Sequence, residues 1–185
     1  MTKLLGLIVF GTFILACNNK PVESPPTTDS TVAVKETKTL PTEIGDPKYI
    51  DIGKNQMKAL SAGDIDGMMN NFADNALYAW SSGDTLIGKA SIAKYWKERR
   101  GKVIDSIKFV KPVWLPIKVN TSQQEGQDQP GNWLLSWYLV KVKYKNGKKL
   151  AFWVHTLYHF DATDKIDIVS QYMDRATINK ALGIK

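Results

Sequence analysis

GNWLLSWYLVKVKYKNGKKLAFWVHTLYHFDATDKIDIVSQYMDRATINKALGIK, residues 131–185, is the stretch on which the fold turns. Two segments rich in β-branched and aromatic residues flank Asn146-Gly147, the dipeptide favoured in two-residue type I′ hairpins. A third segment, Lys165 to Asp174, follows the short connection Asp161-Ala162-Thr163-Asp164. The pattern predicts a three-stranded antiparallel meander. If Lys145 and Lys148 close the Asn-Gly turn, Tyr138 lies opposite His155, Val140 opposite Trp153 and Ser136 opposite Leu157. Side chains alternate faces, so Tyr144, Tyr138, Ser136, Trp153 and His155 share one face. If Phe160 and Lys165 close the second turn, Asp174, Tyr172, Ser170 and Ile168 join them. A one-residue bulge in that turn would send Asp174 to the opposite face.

The chain has 185 residues, enough for one compact domain and an N-terminal extension. Its 43% hydrophobic content, with 6 Trp and 7 Tyr, can fill a core. The net charge of +7 is spread out. Lysines gather at the hairpin tip (Lys141, Lys143, Lys145, Lys148 and Lys149) and a second group follows one helix (Lys97, Arg99, Arg100 and Lys102). No nucleic-acid-binding motif accompanies them, so they read as solvated surface.

Residues 1–16 have the form of a secretory signal, with Lys3 basic and Leu4 to Leu15 apolar. The apolar run is shorter than the ~20 residues that a membrane span needs. It ends Ile14-Leu15-Ala16-Cys17, which resembles the lipobox of bacterial lipoproteins. That resemblance implies cleavage before Cys17 and lipidation of its sulfur and new amino terminus. The alternative is a free cysteine behind an ordinary signal. Cys17 is the single cysteine of the chain, so no internal disulfide can form. Residues 17–46 are rich in Pro, Thr, Ser and Glu without apolar periodicity, the composition of a disordered tether. Asn18, rather than aspartate, follows the lipidated position, which points to the outer membrane of a two-membrane envelope.

The folded domain is expected over residues 47–185. Pro47 suits a first helical turn, and Tyr49, Ile52, Gly53, Gln56, Met57 and Leu60 keep helical spacing to Ser61. Asp64 can cap a second, short helix, Ile65 to Phe72. Asn75 to Trp80 alternates as a strand, Thr85 to Ile87 returns, and Gly88 opens a third helix to about Arg100. That helix bears a stripe of Ile92, Tyr95, Trp96 and Arg99. Val103 to Val119 reads as a long strand, interrupted by Pro112 and Pro116 and therefore at an edge there. Arg175 to Leu182 forms a closing helix, stopped by Gly183.

This order, with FADNALYAWSSGDTLIGKASIAKYW (residues 72–96) and DKIDIVSQYMDRATINKALGI (residues 164–184), resembles the SnoaL-like branch of the NTF2-like superfamily. The telling pieces are Phe72-Ala73-Asp74, Gly88-Lys89 and Tyr172-Met173-Asp174-Arg175-Ala176. The resemblance implies an α+β cone: a curved antiparallel or mixed sheet, covered by three N-terminal helices and a short C-terminal one. It implies a pocket at the wide end. In catalytic relatives a carboxylate at the end of the last strand works as acid/base, and by position that residue is Asp174. The fold hosts isomerases, dehydratases, hydrolases and pure binding modules alike.

Two readings of the candidate site stand. In the first, Asp174 is desolvated among aromatic rings, which raises its pKa, and His155 or a tyrosine polarises the substrate. In the second, Asp174 caps the closing helix through Thr177 or Ile178, and His155 is a core histidine bonded to Tyr138. A direct Asp174–His155 dyad is not expected, because the register separates them by ~13 Å. Tyr138, Trp153, Tyr172, Ser170, Tyr78, Trp80 and Trp96 are the expected ligand-binding residues. His159, near a loop, is expected to be solvated. The two histidines stand too far apart to share a metal, and neither a phosphate loop nor a nucleophile elbow is present. No metal or cofactor is expected. The expected function is a lipid-anchored envelope domain that binds a small apolar or amphipathic molecule. The alternatives are a cofactor-free acid/base enzyme and a homodimeric interaction protein. The last would use an outer patch of Trp133, Trp137, Leu139, Phe152 and Tyr158, unless the Val103–Val119 strand covers it.

Overall fold

The computed structural model describes residues 39–122 and 129–184. The signal segment, Cys17 and most of the expected tether lie outside the described residues. Residues Lys38–Lys185 form one structural unit, built on the meander. Its strands are β5 (Gly131–Tyr144), β6 (Lys149–Phe160) and β7 (Ile166–Met173). β4 (Ile104–Val119) lies outside β5, and β1 (Thr42–Ile44) outside β4. On the other side β7 is followed by β2 (Phe72–Trp80) and β3 (Thr85–Ile87). The β2–β7 pairing is parallel and the rest antiparallel, so the sheet is mixed. β1 falls within the stretch expected to be tether. It pairs Thr42 with Val119 and Ile44 with Ile117, so ordered chain begins before Pro47.

The first hairpin has a different turn from the one the dipeptide suggests. Tyr144 N–H donates to Lys148 O at 2.8 Å and Gly147 N–H to Tyr144 O at 2.9 Å. Only Gly147 has a positive φ, +85°, whereas a type I′ turn needs one at Asn146 as well. The loop is therefore Lys145-Asn146-Gly147, a type I turn whose last residue is left-handed. The Asn146 side chain holds it, accepting from Lys148 N–H at 3.0 Å and donating to Ala181 O at 3.0 Å. One extra loop residue slips the ladder by one, so Tyr138 faces Val154 and Trp137 faces His155. That slip turns every β6 side chain to the face opposite the expected one.

The inner face accordingly carries Tyr138, Val140 and Val142 from β5, with Phe152, Val154, Thr156 and Tyr158 from β6. A further irregularity between His159 and Phe160 places Val169, Gln171 and Met173 of β7 on the same inner side. Helices cover that side: α1 (Lys48–Ala62), α2 (Ile65–Met69), α3 (Lys89–Glu98) and, at the end, α4 (Arg175–Leu182). α1 buries the expected stripe Tyr49, Gly53, Gln56, Met57 and Leu60. Gly53 is what lets it approach the sheet: a Cβ there would stand 2.5 Å from Trp114 and 2.6 Å from Leu134. α3 ends earlier than expected, and a π-helical turn, Arg99–Val103, leads into β4. β4 itself breaks register between Val110 and Val113, where Lys111 takes φ +54° and Pro112 cannot donate to the ladder.

Polar contacts pin the end of the sheet at the β6–β7 turn. Asp164, in the β6–β7 turn, accepts from Tyr49 Oη at 2.7 Å and Lys48 Nζ at 2.8 Å, tying α1 to the sheet. His159 is buried, against expectation, with Nδ1 2.6 Å from Asp167 and its ring against Trp133. Gly131 lets the chain pass close above it, since a Cβ there would meet His159 Nε2 at 2.5 Å.

Candidate functional site

Between the inner face and the helices lies a cavity of about 210 Å³. Its deep wall is aromatic and aliphatic: Phe72, Tyr78, Trp96, Tyr138 and Tyr158 meet Met68 and Val140. Half-buried Arg99, Arg175 and Asn179, with exposed Ile184, mark the rim. α4 supplies two of these side chains, Arg175 and Asn179, and the closing helix therefore forms part of the mouth.

A hydrogen-bond network crosses the inner face at Gln171. The indole of Trp80 can only donate, so the amide oxygen of Gln171 must face it. Oε1 accepts from Tyr78 Oη at 3.0 Å and Trp80 Nε1 at 3.2 Å. Nε2 donates to Tyr138 Oη and Thr156 Oγ1, each at 3.2 Å. The hydroxyls of Tyr138 and Thr156 lie 2.7 Å apart. Both donors and both acceptor positions of the amide are thus engaged. Burial pushes the hydroxyls of Tyr78 and Tyr158 well above the ordinary tyrosine range. It raises Tyr138 too, against the lowering effect of its bonds with Thr156 and Gln171. These phenols stay protonated at neutral pH.

Trp96 is 8% exposed, and its Nε1 is buried without a hydrogen-bond partner among the described residues. Its ring lies edge-on to Tyr95, with centroids 5.3 Å apart. At the rim, the Arg175 guanidinium is bonded to Asp84 and Ser82 and lies over the Trp80 ring. Hydrogen bonding to Arg175 is the main reason that the Asp84 carboxyl stays below its usual range.

The expected ligand-binding residues divide between the two faces. Tyr138, Tyr78, Trp80 and Trp96 line the cavity. Trp153, Tyr172, Ser170 and His155 do not; the one-residue slip puts them on the outer face. There His155 stacks between Trp137 and Tyr172, at 4.4 Å and 5.9 Å between centroids. Its Nδ1 lies 3.0 Å from the Ser136 carbonyl, which can only accept, so Nδ1 carries the proton. The expected bond from His155 to Tyr138 is not formed. Trp153 and Tyr172 are 57% and 51% exposed, which makes this face, not the inner one, the open aromatic surface. Of the patch expected outside, Trp137 is exposed, Trp133 is buried, and Phe152 and Tyr158 turn inward to line the cavity.

Asp174 is at the surface and caps α4. It accepts from Thr177 N–H at 3.2 Å and from the Thr177 hydroxyl. Those bonds, the hydroxyl first, lower its pKa, opposite to the shift that an acid/base role requires. Sequence reasoning missed Gln171, Thr156, Phe152 and Tyr158 as inner residues. A signal was available: in the expected register Lys149 sits opposite Tyr144, on the aromatic face. Pairing Lys149 with Lys143 instead puts Lys141, Lys143 and Lys149 on one solvated side.

No protein-family model and no curated protein matches the sequence. Solved structures do match. An NTF2-like protein of unknown function from Burkholderia pseudomallei aligns with TM-score 0.56 at 11% identity, covering 71% of this chain and 95% of that one. A Catenulispora acidiphila protein with a ketosteroid isomerase-like fold, solved in complex with trimethylamine, aligns at TM-score 0.53 and 13% identity (73% and 94% covered). An LEH-like epoxide hydrolase from M. tuberculosis aligns at 0.52 and 16% identity (72% and 87% covered). At such identities the likeness is one of fold. The chain has the α+β, curved-sheet architecture of NTF2-like and ketosteroid isomerase-like proteins.

Proposed function

We propose that the domain is a binding module that holds a small apolar or amphipathic molecule in the Tyr138–Gln171 cavity. In the same proposal, Cys17 carries a lipid and the tether presents the domain at the bacterial cell envelope, on the outer membrane where there are two. The observation that carries the binding reading is the residue facing inward near the end of β7. It is Gln171, an amide with its hydrogen-bonding capacity already engaged, in a wall of apolar and phenolic side chains. Among the described residues the lining contains neither a carboxylate nor an imidazole. A carboxylate or imidazole is the usual general base near neutral pH, and the inner phenols Tyr78, Tyr138 and Tyr158 are held protonated by burial. An apolar cavity with a few convergent polar groups is what a small-molecule site requires.

Native mass spectrometry of the chain purified from its own host tests the reading, together with calorimetric titration of naphthalene. A retained small molecule or saturable naphthalene binding is expected, and Val140→Phe, which fills the cavity, should weaken both. A chain that carries nothing and takes up no naphthalene would sink the proposal. For the anchor, Cys17→Ser should move the protein from the detergent to the aqueous phase on partitioning. If the variant stays with detergent as the wild type does, lipidation at Cys17 is wrong.

A second reading, self-association, is favoured by the outer face. Trp137, Trp153 and Tyr172 lie together there with Val113 and Leu115, all partly or largely exposed. Such patches mark interfaces. Sedimentation should show a dimer that Trp137→Lys dissociates without unfolding; a wild-type monomer at high concentration would refute it.

A further inference from the structure

We infer that the molecule held in the cavity is an anion: an apolar body in the aromatic chamber and a carboxylate-like head at Arg99. The inference rests on the binding reading above and adds the charge of the ligand. Arg99 and Arg100 are adjacent but do different jobs. The Arg100 guanidinium is spent on structure, donating to the carbonyls of Leu60, Ser61 and Ile104 at 3.1–3.3 Å. The Arg99 side chain, at the start of the π-helical turn, lies at the cavity rim instead; such turns recur at functional sites.

Among the described residues no carboxylate lies within 4 Å of Arg99, whereas the other rim arginine, Arg175, is neutralised by Asp84. Arg99 lies 5.7 Å from the Tyr95 ring centroid, and its charge reaches the hydroxyls of Tyr78, Tyr95 and Tyr144. In each of these phenols burial raises the pKa and Arg99 opposes the rise. The site is therefore a half-buried cation beside protonated phenols, with an unpartnered Trp96 Nε1–H in the same wall. It offers donors in excess of acceptors. A carboxylate supplies only acceptors, and it pairs with a guanidinium through two parallel bonds. A neutral amide of the same shape cannot match that charge.

The probes are 2-naphthoate and its uncharged isostere 2-naphthamide, titrated calorimetrically into the full chain. The wild type should bind 2-naphthoate about tenfold more tightly than 2-naphthamide, the gain expected of one charge-assisted contact. Arg99→Gln should abolish that preference, and Arg99→Lys should keep part of it. Equal wild-type affinities, or a preference that survives Arg99→Gln, would overturn the inference while leaving the binding cavity intact, since both probes bind. Should Arg99→Gln not fold, the wild-type ratio and Arg99→Lys decide: a reduced preference for 2-naphthoate in the Lys variant supports the inference, and equal binding of the two probes overturns it. If neither probe binds the wild type, the cavity reading falls and the inference with it.

Discussion

The two faces of the meander are both rich in aromatic residues and have opposite roles. The inner face has Tyr138, Phe152, Thr156 and Tyr158, sealed beneath helices with Gln171 completing their hydrogen bonds. The outer face has Trp137, Trp153, His155 and Tyr172, stacked in the open. The residues that look most like chemistry in the sequence, a histidine among aromatics and a carboxylate at a strand end, are on the outside. The residue at the centre of the inner network is an amide that draws no attention. The comparison teaches that residue type alone does not mark a site. Desolvation does, and it is set by which face the helices cover.

The largest expected effect that separates the faces comes from Gln171→Leu. It removes the partner of Tyr78, Trp80, Tyr138 and Thr156 at once and leaves buried donors unsatisfied. A loss of about 3 kcal/mol in urea unfolding is expected. A change under half that size would mean that water or neighbouring hydroxyls satisfy the inner face, and the contrast between faces would weaken.

Alkali should find the same face. Tyr78, Tyr138 and Tyr158 have folded pKa values above the unfolded value of ~10, so their contribution is intact below it. It is lost as pH rises through the folded values, because the unfolded chain releases the protons more readily. Unfolding free energy should therefore fall steeply above pH ~10, and Tyr138→Phe should make the fall shallower.

Asp174 gives a smaller effect of the opposite sign. Its folded pKa is depressed, so its stabilisation is present above the unfolded value of ~3.9 and fades as pH drops through the folded one. Asp174→Ala should be less stable than wild type at pH 7, with the gap closing near pH 3, and Asp174→Asn should stay close to wild type through its capping oxygen. A wild-type disadvantage that grows with pH would return Asp174 to the list of desolvated acids. Smallest of all, Trp153→Ser on the outer face should shift monomer stability by no more than ~0.5 kcal/mol.

Much of the architecture was legible in residues alone. The α1 stripe from Tyr49 to Leu60 was legible because 3.6-residue spacing is a local property, and its buried members are largely those expected. Asp64 and Asp174 were legible as caps because a cap reaches only three residues along the chain. Tyr78, Trp80 and Trp96 reach the cavity because their strand and helix have one apolar side each. The loop length at Asn146-Gly147 was not legible in the turn itself; only the lysine pattern of the flanking strands bears on it. Type I′ and type I with a left-handed glycine both accept this dipeptide, and the choice follows from Asn146 bonding Ala181 on α4 and from burial of Phe152 and Val154.

What the sequence determined by itself was therefore most of the elements, their order and the existence of a meander, consequences of spacing and turn chemistry within a few residues; β1, in the stretch expected to be tether, was not among them. What only the tertiary structure decided was register. In a strand with apolar side chains on both sides, period two defines two candidate faces but does not choose between them. The choice depends on the summed burial against α1, α3 and α4, which no local window contains.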